Sequence, residues 1–280
     1  MMTRIAGEES RARSFEVICA GEARWRLGTT AQTRLRAGGG AIEVAVALAR
    51  RGLRVGLATV LADDRVGRGS LEELAAMGVD TQGVALDSHS SRVVLADGVV
   101  DAGPLPSVVE QERPLEIPTG WSAQVLLLSG LSPVVAHGAA LCRAARAARR
   151  AGTVVLLDFD ASLHAWSRQD PRMVRMLLRE VDVARCSLTD LAALGTDVAT
   201  VRAALRPGAV LVVSDGARRV ATGPFGQVVV ERRDRRTHAR RASDSALTAS
   251  ICVELVRRPT PGESADASWY RALGGGPKIR

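Results

Sequence analysis

The chain has 280 residues, of which 46% are hydrophobic and 3% are aromatic, so it is long enough to bury the aliphatic core of one layered α/β domain. Its net charge of +8 comes almost entirely from arginine, because its one lysine is Lys278, and a basic surface can attract nucleic acid or phosphorylated metabolites. No apolar run reaches the ~18 residues of a membrane span and no secretory signal is visible, so we expect a cytoplasmic protein without a membrane segment.

Short apolar runs rich in β-branched residues alternate with alanine- and arginine-rich segments of helical period, a pattern typical of βαβ units and a mostly parallel sheet. In chain order, the predicted strands are residues 16–20, 55–61, 125–129, 153–159, 181–186, 209–214 and 227–231. The predicted helices are residues 41–51, 67–77, 133–151, 171–179, 190–194, 198–205 and 245–257. The pattern therefore predicts a single α/β domain over residues 13–257.

Two segments interrupt this alternation. In residues 86–118 the apolar stretches are short, their pattern is mixed and prolines interrupt them, which favours a small hairpin acting as a reduced lid. Residues 258–280 carry three prolines and three consecutive glycines, which is typical of a loosely ordered tail. The four cysteines, Cys19, Cys142, Cys186 and Cys252, form no C-x-x-C pair, so we expect neither a disulfide framework nor a metal knuckle.

A glycine run at Gly38, Gly39 and Gly40 opens the first predicted helix, where backbone N–H groups can approach a ligand closely. The helix is followed by a strand, by the acidic pair Asp63-Asp64 with Gly67, and by a helix that ends in Gly78-Val79-Asp80. This order resembles the amino-terminal signature of the ribokinase, or PfkB, family of carbohydrate kinases.

Later segments continue the resemblance in the family's order. They are Ser129-Gly130, Asp158 with Trp166, Ser187 to Asp190, Ser214-Asp215-Gly216 and Ala242-Ser243-Asp244. The stretch from Ser129 to Trp166 is most similar to the fructokinase and 2-keto-3-deoxygluconate kinase branches. The resemblance implies a three-layer α/β/α fold with a mostly parallel central sheet and a cleft at the carboxyl ends of its strands.

The resemblance also implies a reaction in which a sugar hydroxyl attacks the γ-phosphorus of ATP, with Mg²⁺ bridging the phosphates. Asp244 occupies the place of the family's catalytic base, directly before the predicted last helix, and Arg241, Ala242 and Ser243 occupy the anion hole. Without the resemblance, Asp244 would be interpreted as a helix N-cap. The nucleotide is expected at Ser187, Asp190, Ser214 and Gly216, with Asp190 acting indirectly on Mg²⁺. The sugar is expected at Gly38, Gly39, Gly40, Glu43, Arg26 and Asp158.

Several of these positions depart from the family pattern. Arg241 and Ser243 stand where the family has glycines, Glu43 replaces an asparagine, and Ser187 and Asp190 replace the "N..E" pair. One interpretation is an active kinase for an unusual substrate, in which Arg26 suits an anionic sugar acid and Arg241 binds phosphate by direct charge. The alternative is a pseudokinase that binds nucleotide or sugar in a regulatory role, because losing one anion-hole donor can cost ~3–4 kcal/mol of transition-state stabilisation.

The arginine cluster at residues 232–241 leaves a third interpretation, binding of nucleic acid through several phosphates. The cluster lacks interleaved aromatics and helix-turn-helix spacing, so we expect a solvated basic turn and no nucleic-acid partner. Because family members often dimerise through their lids, the shortness of this lid leaves a homodimer as an open alternative.

Overall fold

The computed structural model describes residues 13–27, 35–88, 93–95, 115–130, 132–160, 171–215, 218–224, 226–231 and 240–258. Its strands are β1 (Arg13–Gly21), β2 (Arg24–Leu27), β3 (Leu35–Gly38), β4 (Val55–Ala62), β5 (Val79–Asp87), β6 (Val93–Leu95), β7 (Trp121–Ser129), β8 (Val154–Asp158), β9 (Val183–Ser187), β10 (Val210–Asp215), β11 (Arg218–Gly223) and β12 (Gly226–Glu231). Its helices are α1 (Gly40–Ala49), α2 (Arg65–Ala76), α3 (Ser132–Arg150), α4 (Pro171–Leu178), α5 (Leu188–Ala193), α6 (Val198–Ala204) and α7 (Arg240–Arg257).

The main sheet has nine strands in the order β12-β11-β10-β9-β8-β7-β1-β4-β5. The strands from β10 to β5 pair in parallel, whereas β11 and β12 add antiparallel strands at one edge. A second sheet has three strands in the order β3-β2-β6. The predicted class, a three-layer α/β fold with a mostly parallel sheet, is confirmed.

Alternation along the central strands divides the core between the two faces of the main sheet. In β1, Val17 and Cys19 join a buried cluster with α1, α2 and α7, whereas Ile18 and Ala20 join a second cluster with α3, α4, α5 and α6. Parallel strands buried on both faces read as continuous apolar runs, and every residue of β4 is buried. The cleft therefore has to form at strand ends, since both sheet faces are covered.

The predicted elements differ from the observed ones mainly at edges and ends. Strands β2, β3, β5 and β11 were not predicted. β2 and β3 belong to the small sheet, β5 is an edge strand and β11 lies next to the edge strand β12, and such positions need no continuous apolar run. Of the predicted lid segment, residues 86 and 87 belong to β5 and residues 93–95 form β6, which pairs in parallel with β2. The small sheet thus draws two of its three strands from the amino-terminal part of the chain. Residues 96–114 and the tail beyond residue 258 lie outside the described residues.

The predicted start of the last helix at residue 245 is wrong. Helix α7 begins at Arg240, so the backbone of Asp244 lies inside the helix instead of before it. Within the described part of the chain, no helix combines the length and apolarity that a membrane crossing needs. The thiols of Cys19, Cys142, Cys186 and Cys252 are free and buried.

Candidate active site

The predicted site residues Asp158, Ser187 and Ser214 belong to a row of residues that crosses the carboxyl ends of adjacent parallel strands. Gly21 of β1 pairs with Ser129 of β7, which pairs with Asp158 of β8, which in turn pairs with Arg185 of β9. Two residues further along β9, Ser187 lies beside Ser214 of β10. In a parallel α/β sheet, such strand ends are where ligands bind.

The centre of this row is a buried ion pair. Asp158 and Arg185 are each 2% exposed, and Arg185 Nη1 donates to Asp158 Oδ1 over 3.0 Å. Arg185 Nη2 donates to Ser214 Oγ over 2.9 Å, and Ser214 Oγ donates to the carbonyl oxygen of Cys186 over 3.4 Å. The guanidinium therefore joins the ends of β8 and β10 through its own strand, β9.

The second carboxylate oxygen of Asp158 reaches the helical layer. Thr248 of α7, which is fully buried, donates its hydroxyl hydrogen to Asp158 Oδ2 over 2.6 Å. The pKa of Asp158 is raised to about 6, mainly by burial and also by the charge of Asp160, while the charge of Arg185 and the hydrogen bonds from Thr248 and Arg185 act to lower it. A carboxylate that needs both Arg185 and Thr248 to remain ionised depends strongly on their positions.

The glycine run forms the turn between β3 and α1. Gly39 is the N-cap residue of α1 with φ 106°, a torsion that favours glycine, and the Gly40 N–H donates to Asp160 Oδ2 over 3.1 Å. A Cβ atom at Gly40 would lie 2.1 Å from Ser129 Oγ, so this position has no room for a side chain. The turn is thereby held closely against the ends of β7 and β8.

Helix α7 is also bonded to the start of α1. Ser245 Oγ donates to Glu43 Oε2 over 2.7 Å, in the turn next to Thr248. Asp244 precedes Ser245, and its side chain lies outside the description, as do those of Arg241, Ala242 and Ser243. The backbone N–H groups of these last three residues belong to the first turn of α7, where an α-helix leaves its donors without intrahelical partners.

On the other side of the row, Ser187 and Asp190 form the N-terminal cap of α5. Ser187 Oγ accepts from the Asp190 N–H over 3.0 Å, while Asp190 Oδ2 accepts from the Ser187 N–H over 2.6 Å and from its hydroxyl over 2.7 Å. Asp190 is buried, and this oxygen is already used. Its indirect role at Mg²⁺ stays a prediction.

The structure thus brings Asp158 and Ser214 together through Arg185. It places Glu43 against Ser245 of α7, and Gly40 against Asp160 and Ser129. Arg26 lies on β2 with its side chain outside the description, and Gly216 and residues 232–239 lie outside the described residues. Among the residues that are described, no group of three His, Cys, Asp or Glu side chains could hold a metal ion.

Sequence reasoning missed Arg185 and Thr248, the two partners of Asp158. The signal for Arg185 was an arginine inside a predicted buried strand, where a charge requires a partner. Leu156, Val183 and Val212 face the core cluster on the α1 and α7 side, so the residues two positions later, Asp158, Arg185 and Ser214, face that side as well. Thr248 had no comparable signal, because it depends on the placement of α7.

A parallel sheet covered on both faces, with a polar row at its strand ends and a glycine turn beside it, defines a ribokinase-like α/β protein. The solved structures with this fold include an aminoimidazole riboside kinase from Salmonella enterica, complexed with aminoimidazole riboside and an ATP analog. It is 20% identical, with a TM-score of 0.71 over 94% of this chain and 90% of that one. A fructokinase from Xylella fastidiosa with bound ATP is 18% identical, with a TM-score of 0.68 over 93% of this chain and 86% of that one.

The sequence comparisons agree with the fold. A sequence model of the pfkB family of carbohydrate kinases matches residues 19–222, and the chain belongs to this family. A 5-dehydro-2-deoxygluconokinase from Shouchella clausii is 30% identical over 149 residues, which are 49% of this chain and 45% of that protein. The match thus spans less than half the length of this relative.

Proposed function

We propose that the protein transfers the γ-phosphoryl group of ATP to a hydroxyl of a sugar or sugar acid, with Asp244 as the catalytic base. The observation that supports this most is the attachment of α7 at two points to the elements that build the cleft. Thr248 bonds to Asp158 at the end of β8, and Ser245 bonds to Glu43 beside the glycine turn. Family membership and the kinases of similar fold support the same reaction.

The proposed chemistry assigns a task to each part of α7. The acceptor hydroxyl gives its proton to the Asp244 carboxylate while its oxygen forms a bond to the γ-phosphorus. The bond from the γ-phosphorus to the bridging oxygen breaks, and ADP leaves. The N–H groups of Arg241, Ala242 and Ser243, with the positive end of the helix dipole, stabilise the charge on the transferred group.

Magnesium enters this proposal as part of the MgATP substrate. Asp190 Oδ2 is occupied by the cap of α5, and the described residues offer no cluster of three metal ligands. The described part of the site does not fit a metal ion held by protein ligands alone, and we derive no step through one.

The test is a coupled ADP-release assay over a panel of sugars and sugar acids. We expect turnover on at least one acceptor, and Asp244→Asn should lower kcat at least ~100-fold, the lower range for a general base. Glu254→Gln, the same amide replacement near the other end of α7, should leave kcat unchanged. Turnover that survives Asp244→Asn would exclude Asp244 as the base.

The acceptor class can be tested with the same panel. Arg26 lies on β2 of the small sheet, and an arginine suits a carboxylate through paired hydrogen bonds. We propose that Arg26→Gln raises KM for sugar acids and leaves KM for neutral sugars unchanged. Equal changes for both acceptor classes would contradict this role.

A pseudokinase is the second candidate, and the replaced anion-hole glycines favour it. Arg241 and Ser243 put side chains in a turn where the family's glycines leave the backbone open. This candidate predicts MgATP binding by calorimetry without sugar-dependent ADP release. ADP release that depends on an acceptor and on Asp244 would exclude it.

A further inference from the structure

Thr248, Asp158, Arg185 and Ser214 form a buried polar network to which the proposed reaction assigns no chemical step. Three of its members come from three adjacent strands, and the fourth comes from α7. Thr248 is fully buried, Arg185 is 2% exposed and Ser214 is 5% exposed, so solvent cannot replace these contacts. A buried polar chain of this kind restricts the positions that its elements can take.

The position of Thr248 on α7 makes this restriction relevant to Asp244. The two residues are four positions apart, so they share one face of the helix and are separated by about 6 Å along its axis. A shift of Thr248 relative to Asp158 therefore moves the backbone of Asp244 by a similar amount. The neighbouring bond from Ser245 to Glu43 fixes the same turn from the side of α1.

The other end of this polar network, at Arg185 and Ser214, determines which strand ends α7 is positioned against. Arg185 holds Asp158, the strand end on the acceptor side, and Ser214, the strand end predicted to face the nucleotide. One guanidinium thus connects the two halves of the row, and Thr248 connects α7 to that guanidinium through a single carboxylate. Asp158 and Arg185 therefore fix α7, which carries Asp244, relative to both the acceptor side and the nucleotide side of the row.

We infer that Thr248 is a positioning residue, which places the first turn of α7 through Asp158 and Arg185. This inference rests on the proposed function, because it assigns Thr248 a role in the reaction of Asp244. A misplacement of about 1 Å can cost a factor of ~100 in rate. The loss should appear in kcat, since the substrates bind to groups other than Thr248.

Two substitutions at position 248 separate the hydroxyl from packing. Thr248→Val keeps the branched shape and removes the hydroxyl, whereas Thr248→Ser keeps the hydroxyl and removes the methyl group. Ser250→Ala is the matched control, because within the described residues the Ser250 hydroxyl donates to the Ala246 carbonyl oxygen of its own helix over 2.8 Å and not to the sheet. Kinetics are measured well below the unfolding temperature of each variant.

We expect Thr248→Val to lower kcat by ~10- to 100-fold with KM for ATP within ~3-fold. Thr248→Ser should remain within ~3-fold of the wild type in both constants, and Ser250→Ala should match it. The inference is overturned by unchanged kcat in Thr248→Val, or by equal losses in the valine and serine variants. If the valine variant does not fold, Thr248→Cys replaces it and should give a smaller loss of kcat, because a thiol is a weak donor.

Amide hydrogen exchange keeps the inference testable if the wild type shows no turnover. Thr248→Val should speed exchange in residues 240–247 relative to residues 249–257, and Ser250→Ala should not. A protein without turnover that shows this pattern would contradict the proposed function and support the placement of α7. Uniform or unchanged exchange along α7 would contradict the placement, whatever the activity.

Discussion

The buried ion pair between Asp158 and Arg185 permits a direct measurement of how the strand ends are held together. The perturbation is a double-mutant cycle of Arg185→Met, Asp158→Asn and both together. Methionine is close to arginine in volume without its charge, and asparagine is close to aspartate in shape. Each single substitution takes one charge out of this buried contact and leaves the other charge in place, whereas the double substitution removes both charges.

The contact geometry sets the expected size of the effect. The nitrogen and oxygen lie 3.0 Å apart, and for charge centres ~4 Å apart at an effective dielectric constant of ~20 the attraction is about 4 kcal/mol. Removing one partner of such a buried pair costs about 3–5 kcal/mol of unfolding free energy. We expect each single variant to lose that amount and the double variant to lose less than the sum by about 2–4 kcal/mol.

The assay is urea unfolding at pH 7, with thermal unfolding as a second measurement. A loss of 3–5 kcal/mol corresponds to roughly 6–20 °C in Tm for a domain of this size. The matched control is the cycle of Arg146→Met and Glu180→Gln, because Arg146 Nη2 and Glu180 Oε1 are 2.5 Å apart but the Arg146 side chain is 48% exposed. That pair should couple by about 1 kcal/mol or less. Additive single losses in the Asp158 cycle would refute the reasoning.

Three further predictions concern stability and reactivity. Because the pKa of Asp158 is higher in the folded chain, at about 6, than in the unfolded chain, the folded state binds the proton more tightly. Wild-type stability relative to Asp158→Asn should therefore fall by up to ~3 kcal/mol between pH ~4 and pH ~6, as measured by urea unfolding across that range. In α2, Gly67→Ala should lower the unfolding free energy by about 1–3 kcal/mol, because its Cβ atom would lie 1.9 Å from the Ala62 carbonyl oxygen. Gly69→Ala, with open space around its Cβ, should raise the unfolding free energy by about 0.5–1 kcal/mol, and thermal unfolding of both glycine variants measures the difference. All four cysteines are buried and burial raises the pKa of each thiol, so Ellman's reagent at pH 8 should label them only after unfolding.

Each of these predictions has a contrary result. A rise in relative stability between pH 4 and pH 6 would mean that the pair with Arg185 outweighs the burial of Asp158. Equal effects at Gly67 and Gly69 would mean that α2 shifts to make room. Rapid labelling of native protein would mean that a core cluster opens without global unfolding.

The alternation of buried strands with helices could be predicted from sequence because the parallel strands are covered on both faces. β4 and β8 are buried along their whole length and are mostly apolar, and their limits agree with the predictions to within one residue. β5 contains Asp80, Gln82 and Gly83 and lies at the sheet edge, where half-exposed residues give no such run. The small sheet was missed for a related reason, since β2 and β3 are four residues each and are interrupted by arginine.

Contacts in the site could be predicted from sequence only where the two partners lie close together along the chain. Ser187 and Asp190 interact at a separation of three residues, within one motif. Asp158 meets Arg185 at a separation of 27 residues and Thr248 at a separation of 90, so no local motif contains both ends of either contact. Such contacts follow from sheet register and helix docking, which depend on the whole fold.

Strand register could still have located part of this network. Side chains alternate between the two faces of a sheet, so a polar residue two positions after a core residue lies on the same face as that residue. Asp158, Arg185 and Ser214 each follow a core residue in this way, and an arginine there requires an acid at the neighbouring strand end. The pairing of Asp158 with Arg185 is therefore implied once the strand order β8-β9-β10 is assumed. Strand order alone does not dock α7, because its contacts with Asp158 and Glu43 join segments that are 90 and 202 residues apart, so the placement of the proposed base Asp244 follows from the complete fold.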